Sequence, residues 1–526
     1  MIGRRKFLKA GGAFSAGLAI MPLNEIVAAG NTKKDDMKCV DVATAGYVTS
    51  PEAMYQTELG LGFNWFEHFG SGGYYARWEK YPLSSQVYPK PDDEKGWKAI
   101  EKGLNELNPG WIRFGMPPDP NVGHNGKFNG NTVHFQHLEW LDKWATRNNR
   151  IILLDTFLIP GYYEFPLPEG TKEPGGAIIN MAAKNNRDYA ENFVTPMIKY
   201  IIDELKLKSV KYFNPVNEPM EYGVYQTPNN KPNILVHYVE MYREIRRALD
   251  NAGITRNMIG LVGFDTSFPI KYALEELSHN IDISDYIEAY SVHHYNLRLD
   301  YVPPKKNSDV GRGYFNKGLN VTIEQDDKMF LEFAGKQNKS FWALEMGTFY
   351  YGKWHNPAGV ASIDATITVA EGIIRAINIG ITGFCIWSLM NPNDVDGHWA
   401  VMRQKDGELI RYKYPYAVYS LISNHFFPNS KVYPVFPGPD SPEIVHVHAT
   451  FLEAPNGDKT MLVVNDHPDQ KQTLAFNLPG SWNDVSGFNV SIVNKDRLNE
   501  SAGSVSVKDG KIKLQCEPFS LLGLKA

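Results

Sequence analysis

The chain has 526 residues, a formal net charge of -5, 43% hydrophobic and 21% charged residues. That length exceeds one compact core, so a large domain with a smaller companion is expected, and the composition excludes a disordered, collagen-like or low-complexity chain. No basic excess marks a nucleic-acid partner, and three cysteines, Cys39, Cys385 and Cys516, exclude a disulfide scaffold and a four-cysteine zinc site.

Residues 1–29 read as an export signal: a basic stretch from Gly3 to Lys9, an apolar run from Ala10 to Met21, and small residues at Val27-Ala28-Ala29. Arg4-Arg5 followed by Phe7-Leu8 resembles a twin-arginine signal, with an ordinary secretory signal as the other reading. Both place the mature chain in the periplasm or outside the cell. The apolar run is too short to span a bilayer, and no later stretch reaches 18 uninterrupted apolar residues, so no membrane span is expected. Residues 30–57 form an N-terminal segment whose strand-like part, 38–49, can join a C-terminal sheet. In that arrangement Cys39 and Cys516 can pair, whereas Cys385, inside Gly383-Phe384-Cys385-Ile386-Trp387, reads as a buried free thiol.

From 58 to 425 short apolar runs alternate with long amphipathic ones. Strands are predicted at 59–66, 111–115, 150–156, 210–216, 258–264, 287–293, 341–345 and 383–387. Helices are predicted at 94–107, 135–148, 187–206, 233–252, 268–279, 322–337, 361–379 and 414–424. Eight strand–helix repeats give a (β/α)8 TIM barrel within the α/β class. A doubly wound dinucleotide-binding sheet is the alternative, but Gly60-Leu61-Gly62 lacks the third glycine of its fingerprint. From 426 to 526 the pattern becomes short and alternating, with turns such as Lys508-Asp509-Gly510-Lys511, which predicts a small antiparallel β-sandwich.

A (β/α)8 barrel presents its reactive groups at the C-terminal ends of the strands. Those ends carry Arg113 on the second strand, Asp155 on the third, Asn214-Pro215-Val216-Asn217-Glu218-Pro219 after the fourth, His293-His294-Tyr295 on the sixth, Glu345 on the seventh and Trp387-Ser388 on the eighth. Strands four and seven thus each offer a glutamate, and paired carboxylates are what glycoside hydrolysis requires. Each residue also has a plainer reading. Glu218 can be a helix-start residue before Pro219, and Glu345 can pair with Arg113 for structure alone. Asp155 reads as a hydrogen-bond acceptor rather than a third catalyst. His293-His294 lacks further ligands for a metal, and the oxygen-rich run Asn391–Gly397 lacks EF-hand spacing, so neither a metal nor a cofactor is expected.

Asn217-Glu218-Pro219 and Glu345, placed on these strands, resemble the retaining glycoside hydrolases of clan A, with similarity to families 30, 39 and 5. The resemblance covers roughly residues 58–425, and the trailing sandwich is similar to that of families 30 and 39. It implies Glu218 as acid/base and Glu345 as nucleophile. It implies Arg113 as partner of the nucleophile, Asn217 as a contact to the sugar 2-hydroxyl, and His293 and Tyr295 as a His-x-Tyr pair. Trp387 corresponds to the clan's eighth-strand tryptophan, which often precedes a cis peptide. The implied partner is a β-linked carbohydrate cleaved through a covalent glycosyl-enzyme, with a raised pKa on Glu218.

The 28 Tyr, 27 Phe and 11 Trp sharpen this. Tyr74, Tyr75, Trp78, Tyr81, Tyr162, Tyr163, Phe165, Tyr222, Tyr225, Phe349, Tyr350, Tyr351, Trp354 and Trp399 all follow strand ends. Amphipathic rings suit the apolar faces of sugars, and about half are expected merely to pack the loops. Three other readings stay open: a non-catalytic carbohydrate-binding protein on a hydrolase scaffold, a metal-dependent barrel hydrolase, and a transglycosylase. The sugar, its linkage, endo or exo action and the oligomeric state are not legible in the residues.

Overall fold

The structure is a computed structural model. It describes residues 45–66, 88–116, 121–156, 159–163, 183–218, 231–266, 282–294, 327–347, 362–390, 400–437, 447–467 and 470–526. The export-signal reading at 1–29, Cys39, the helix predicted at 268–279, Tyr295, the run Asn391–Gly397 and most of the loop aromatics lie outside the described residues.

Eight parallel strands close into a barrel. They are β1 (Gly60–Phe66), β2 (Trp111–Gly115), β3 (Ile151–Asp155), β4 (Val210–Asn214), β5 (Gly260–Thr266), β6 (Ala289–His294), β7 (Ser340–Met346) and β8 (Gly383–Met390). Helices cover the barrel, and their ends follow local chemistry. In Glu94–Leu107 the Asp93 side chain accepts the Gly96 N–H at 2.9 Å, and Asn108 closes the end in the left-handed region. Ser362 caps Ile363–Ile379, which ends at Gly380 with φ 103°. The helix around Asn186–Glu204 contains two wider π turns, Ala190–Val194 and Tyr200–Glu204.

The barrel interior is stratified. Its lower layer is apolar: Leu59, Trp111, Leu153, Val262, Ala289, Trp342, Leu344 and Cys385 form one buried cluster. Gly62 makes room for the Trp111 ring, since a Cβ there would lie 2.6 Å from the indole nitrogen. The indole N–H groups are satisfied, Trp111 by the Phe384 carbonyl at 3.0 Å and Trp342 by Glu58 at 3.1 Å. Above this layer the inward residues are Asn64, Arg113, Asp155, Asn214, Asp265, Ser291, His293 and Glu345, all buried.

The second body is a ten-stranded, mostly antiparallel sheet folded over its own core of Tyr47, Tyr433, Phe451, Trp482, Phe488 and their neighbours. Strand Ala45–Thr49 lies inside it, parallel to Gln472–Asn477 and antiparallel to Lys431–Pro437. Sequence alternation also suggests strands at 443–452, 459–465, 471–477, 488–494, 503–508 and 511–516, and the sheet contains besides these Lys431–Pro437 and Ser520–Lys525. A small hairpin, Met402–Lys405 with Glu408–Arg411, precedes helix Lys413–Ser423. One face of the sandwich contributes Val432, Leu452, Leu462, Val464, Val493 and Leu521 to the core that also lines the barrel helices. Across that junction Glu371 meets His448 at 3.3 Å, and Asn378 donates to the Ala449 carbonyl at 2.8 Å. The sandwich therefore braces the barrel through shared apolar packing. Cys385 and Cys516 are buried free thiols, and burial pushes the Cys385 thiol well above its ordinary range. Among the described residues no helix is long and apolar enough to cross a membrane.

Candidate active site

Strand alternation brings the first site residues to the barrel mouth. On β2 Trp111 points into the lower layer and Arg113, two residues on, into the upper one, as Leu153 and Asp155 do on β3. β5 and β7 depart from this rhythm. On β5 the pairing with β6 slips between Gly263 and Thr266. Phe264 then faces outward onto Tyr238 and Phe330, and Asp265 turns inward. Phe264 and Asp265 have φ 75° and 34°, a backbone region that non-glycine residues occupy at a cost. A slip opposite β7 likewise sets His293 against Glu345.

Arg113 is 1% exposed, and all five of its N–H groups are used. Nε donates to Asp155 Oδ2 at 2.7 Å. Nη1 donates to Asn64 Oδ1 at 3.0 Å and to Glu345 Oε1 at 2.5 Å. Nη2 donates to Asn217 Oδ1 at 2.6 Å and to Asp265 Oδ2 at 2.9 Å. Burial alone would favour loss of its charge, but Asp155, Asp265 and Glu345 outweigh that and raise its pKa further.

His293 is the second cation. Its Nδ1 lies 2.8 Å from Glu218 Oε1 and 3.5 Å from Glu345 Oε2, and its Nε2 lies 2.9 Å from Asp265 Oδ1. Burial disfavours the charged ring, yet the carboxylates of Asp265 and Glu345 and the hydrogen bonds to Asp265 and Glu218 hold its pKa well above the usual histidine value. Both ring nitrogens then donate. Asp265 titrates below its ordinary value, because His293 and Arg113 overcome its burial. Glu218 has φ 47°, and its backbone N–H donates to the Asp265 carbonyl at 3.1 Å.

The predicted residues Arg113, Asn217, Glu218, His293 and Glu345 thus converge on one buried cluster. Asp155 is an acceptor for Arg113 and for Asn214 at 3.1 Å, as the sequence reading had it. Trp387 is half-buried at the rim, its ring 5.2 Å from that of Phe66, and the Trp387–Ser388 peptide is cis, the feature that the resemblance implied. His294 points elsewhere, 3.0 Å from Asp327. Of the two described loop aromatics, Tyr163 is buried and donates to the Gly126 carbonyl, and Tyr162 is 47% exposed. Sequence reasoning passed over Asp265 and Asn64. Asn64 carried a signal, as the lone polar residue in the apolar run of β1. Asp265 sits one residue past the predicted strand 258–264.

Glu218, His293 and Glu345 each place one ligand-type atom within 4.8 Å of the others, a spacing that can hold a metal ion. An imidazolium offers no lone pair, so a metal there would first have to displace the His293 proton.

No family model and no curated protein sequence matches the chain. Solved structures do share its fold. A family 30 endoxylanase from Clostridium papyrosolvens aligns with TM-score 0.58 at 12% identity over 92% of this chain and 100% of its own. A conserved exported protein from Bacteroides fragilis aligns at 0.59 and 14%, over 91% and 100%. A family 51 arabinofuranosidase from Xanthomonas axonopodis aligns at 0.55 and 13%, over 92% and 99%. The endoxylanase and the arabinofuranosidase are clan A glycosidases, the group that the strand-end motifs resemble. At such identities the likeness is one of fold.

Proposed function

We propose that this protein is an exported, retaining glycoside hydrolase that cleaves a β-linked oligo- or polysaccharide by double displacement. The observation that carries the reading is the carboxylate pair. Glu218 after β4 and Glu345 on β7 bring oxygens within 4.8 Å of each other across the barrel mouth. Retaining enzymes hold their two carboxyls about 5–5.5 Å apart, and inverting enzymes leave about 6.5–9.5 Å for a water.

In this reading Glu345, anchored by Arg113, attacks the anomeric carbon while Glu218 gives its proton to the departing glycosidic oxygen. The alcohol leaves, and a glycosyl ester on Glu345 remains. Glu218 then takes a proton from water, the water oxygen attacks the same carbon, and Glu345 is released. The reading requires that Glu218 hold its proton at the start. Asn217 turns its oxygen to Arg113, which leaves its amide N–H groups to donate to a sugar 2-hydroxyl. Tyr295 and Trp387 complete the sugar-binding set, and residues 1–29 direct export.

The test runs wild type, Glu218→Ala and Glu345→Ala on aryl β-glycosides and β-linked oligosaccharides with added azide. Rescue of Glu218→Ala to a β-glycosyl azide and of Glu345→Ala to an α-glycosyl azide supports both roles and names the sugar. Near-normal turnover in either variant removes that residue from its role. Silence of the wild type, with sugars still bound, points instead to a carbohydrate-binding protein.

A further inference from the structure

The site contains a third acid that neither the two-carboxylate chemistry nor the sequence motif uses. Asp265 is fully buried and lies on the β5 bulge. One of its oxygens, Oδ1, accepts from His293 Nε2 at 2.9 Å and from Ser291 Oγ at 3.2 Å. The other, Oδ2, accepts from Arg113 Nη2 at 2.9 Å and from Asn214 Nδ2 at 2.7 Å. Its carbonyl holds the backbone N–H of Glu218. His293, Arg113 and Glu218, three of the residues that Asp265 touches, belong to the candidate machinery.

We propose that Asp265 is the positioning residue that couples the two halves of the reaction, holding His293 against Glu218 and Arg113 against Glu345 from one carboxylate. This rests on the hydrolase reading above. Three observations carry it. The acid is shared between the cation facing Glu345 and the cation facing Glu218. The backbone at Phe264 and Asp265 adopts two positive φ angles that bring this side chain inward, and such outliers persist where the surroundings over-determine them. A strand that kept strict alternation would have placed Phe264 there instead. The effect on Glu218 passes through His293. With Asp265 charged, the ring keeps both protons and donates Nδ1–H to Glu218. Without that charge the ring loses its second proton near neutrality, and Glu218 faces an acceptor.

Among the described residues, the charged and titratable groups facing Asp265 and His293 are Arg113 on β2, Asp155 on β3, Glu218 after β4, Glu345 on β7, Cys385 on β8, and Tyr238 and Tyr242 on helix Lys231–Asn251. All but Asp265 remain in place in Asp265→Asn, which keeps the shape and removes the charge.

The experiment follows the His293 ring by histidine-selective nitrogen-15 labelling, assigned with His293→Gln. In the wild type the ring stays doubly protonated from pH 5 to 9 on this proposal. In Asp265→Asn it loses its second proton inside that window. In parallel kcat falls about 10- to 100-fold, the size seen when a partner orienting a reactive group is lost, with KM within about threefold. The basic limb of the kcat/KM profile moves to higher pH by about one unit, because Glu218 loses its cationic neighbour. In the double variant with His293→Gln, Asp265→Asn adds no further shift of that limb. A wild-type ring that titrates near 6.5 overturns the proposal without any Asp265 variant. So does a folded Asp265→Asn with an unmoved ring and unmoved limbs. If the wild type cleaves no glycoside yet Asp265 still sets the ring's titration, the hydrolase reading falls and the electrostatic coupling stands.

Discussion

Trp111, Leu153, Val262 and Trp342 share their strands with Arg113, Asp155, Asp265 and Glu345, yet the two sets live in opposite surroundings. The lower set fills the barrel with apolar side chains and with two indoles whose N–H groups are satisfied. The upper set packs two cations against at least three acids at the same depth. Burying charge is expensive even when it is paired, whereas burying apolar surface is favourable. The lower layer and the braced sandwich therefore supply the stability that the upper layer draws down. The apolar face shared with the sandwich fits that division, since it enlarges the core without adding to the site.

Several substitutions can break this division. Glu345→Ala is expected to lower kcat by at least about 10⁴-fold, measured on the aryl glycoside that the wild type prefers. Arg113→Ala leaves Asp155, Asp265 and Glu345 without their shared cation and should destabilise the fold by about 3–5 kcal/mol in urea unfolding. A folded, active Arg113→Ala would contradict the hub. Leu153→Ala in the lower layer should lose about 2–5 kcal/mol while the pH profile of activity keeps its limbs. A moved limb would mean that the layers are coupled. Gly62→Ala meets the Trp111 ring and should lose about 1–3 kcal/mol by the same assay.

The smallest effect concerns the brace and depends on pH. Burial would raise the pKa of Glu371, but the hydrogen bond and charge of His448 and the charge of Arg375 bring it down to about 2. A carboxylate depressed in the folded state stabilises above its unfolded pKa of about 4.3 and loses that contribution as the pH falls toward 2. Wild type should therefore outlast Glu371→Gln by about a few degrees of melting temperature at pH 6, and the gap should close toward pH 2.5. A gap constant with pH would assign the difference to packing.

The elements that sequence made legible were those with strong periodicity and local stop signals. Glu94–Leu107 was read to the residue because Asp93 and Asn108 mark its ends. All eight barrel strands were found within a few residues, since each is a short apolar run between amphipathic helices. The catalytic candidates were legible because they stand at strand ends with the right residue types. Asp265 was not, because a bulge is a two-strand event: alternation along 258–264 points Phe264 inward, and only the pairing with β6 reverses it. The strand Ser520–Lys525 escaped for a related reason, as its partners Lys459–Asn465 and Gly487–Val493 are not its neighbours in sequence.

The strand Ala45–Thr49 carries a consequence in time. Its neighbour on one side is Gln472–Asn477, and the Asn477 side chain donates to the Tyr47 carbonyl across a sequence separation of 430 residues. At ribosomal rates of about 5–20 residues per second, the partner emerges roughly 20–90 s after Tyr47 does. For that interval the strand has no sheet to enter on that side, and its hydrogen-bonding edge is open to water or to a chaperone. The sandwich is thus a late-closing clasp. All eight barrel strands are synthesised before Lys431–Pro437, the other neighbour of Ala45–Thr49, exists at all. A nascent chain stalled before residue 431 would therefore carry a barrel without its brace and with the N-terminal strand still exposed to protease.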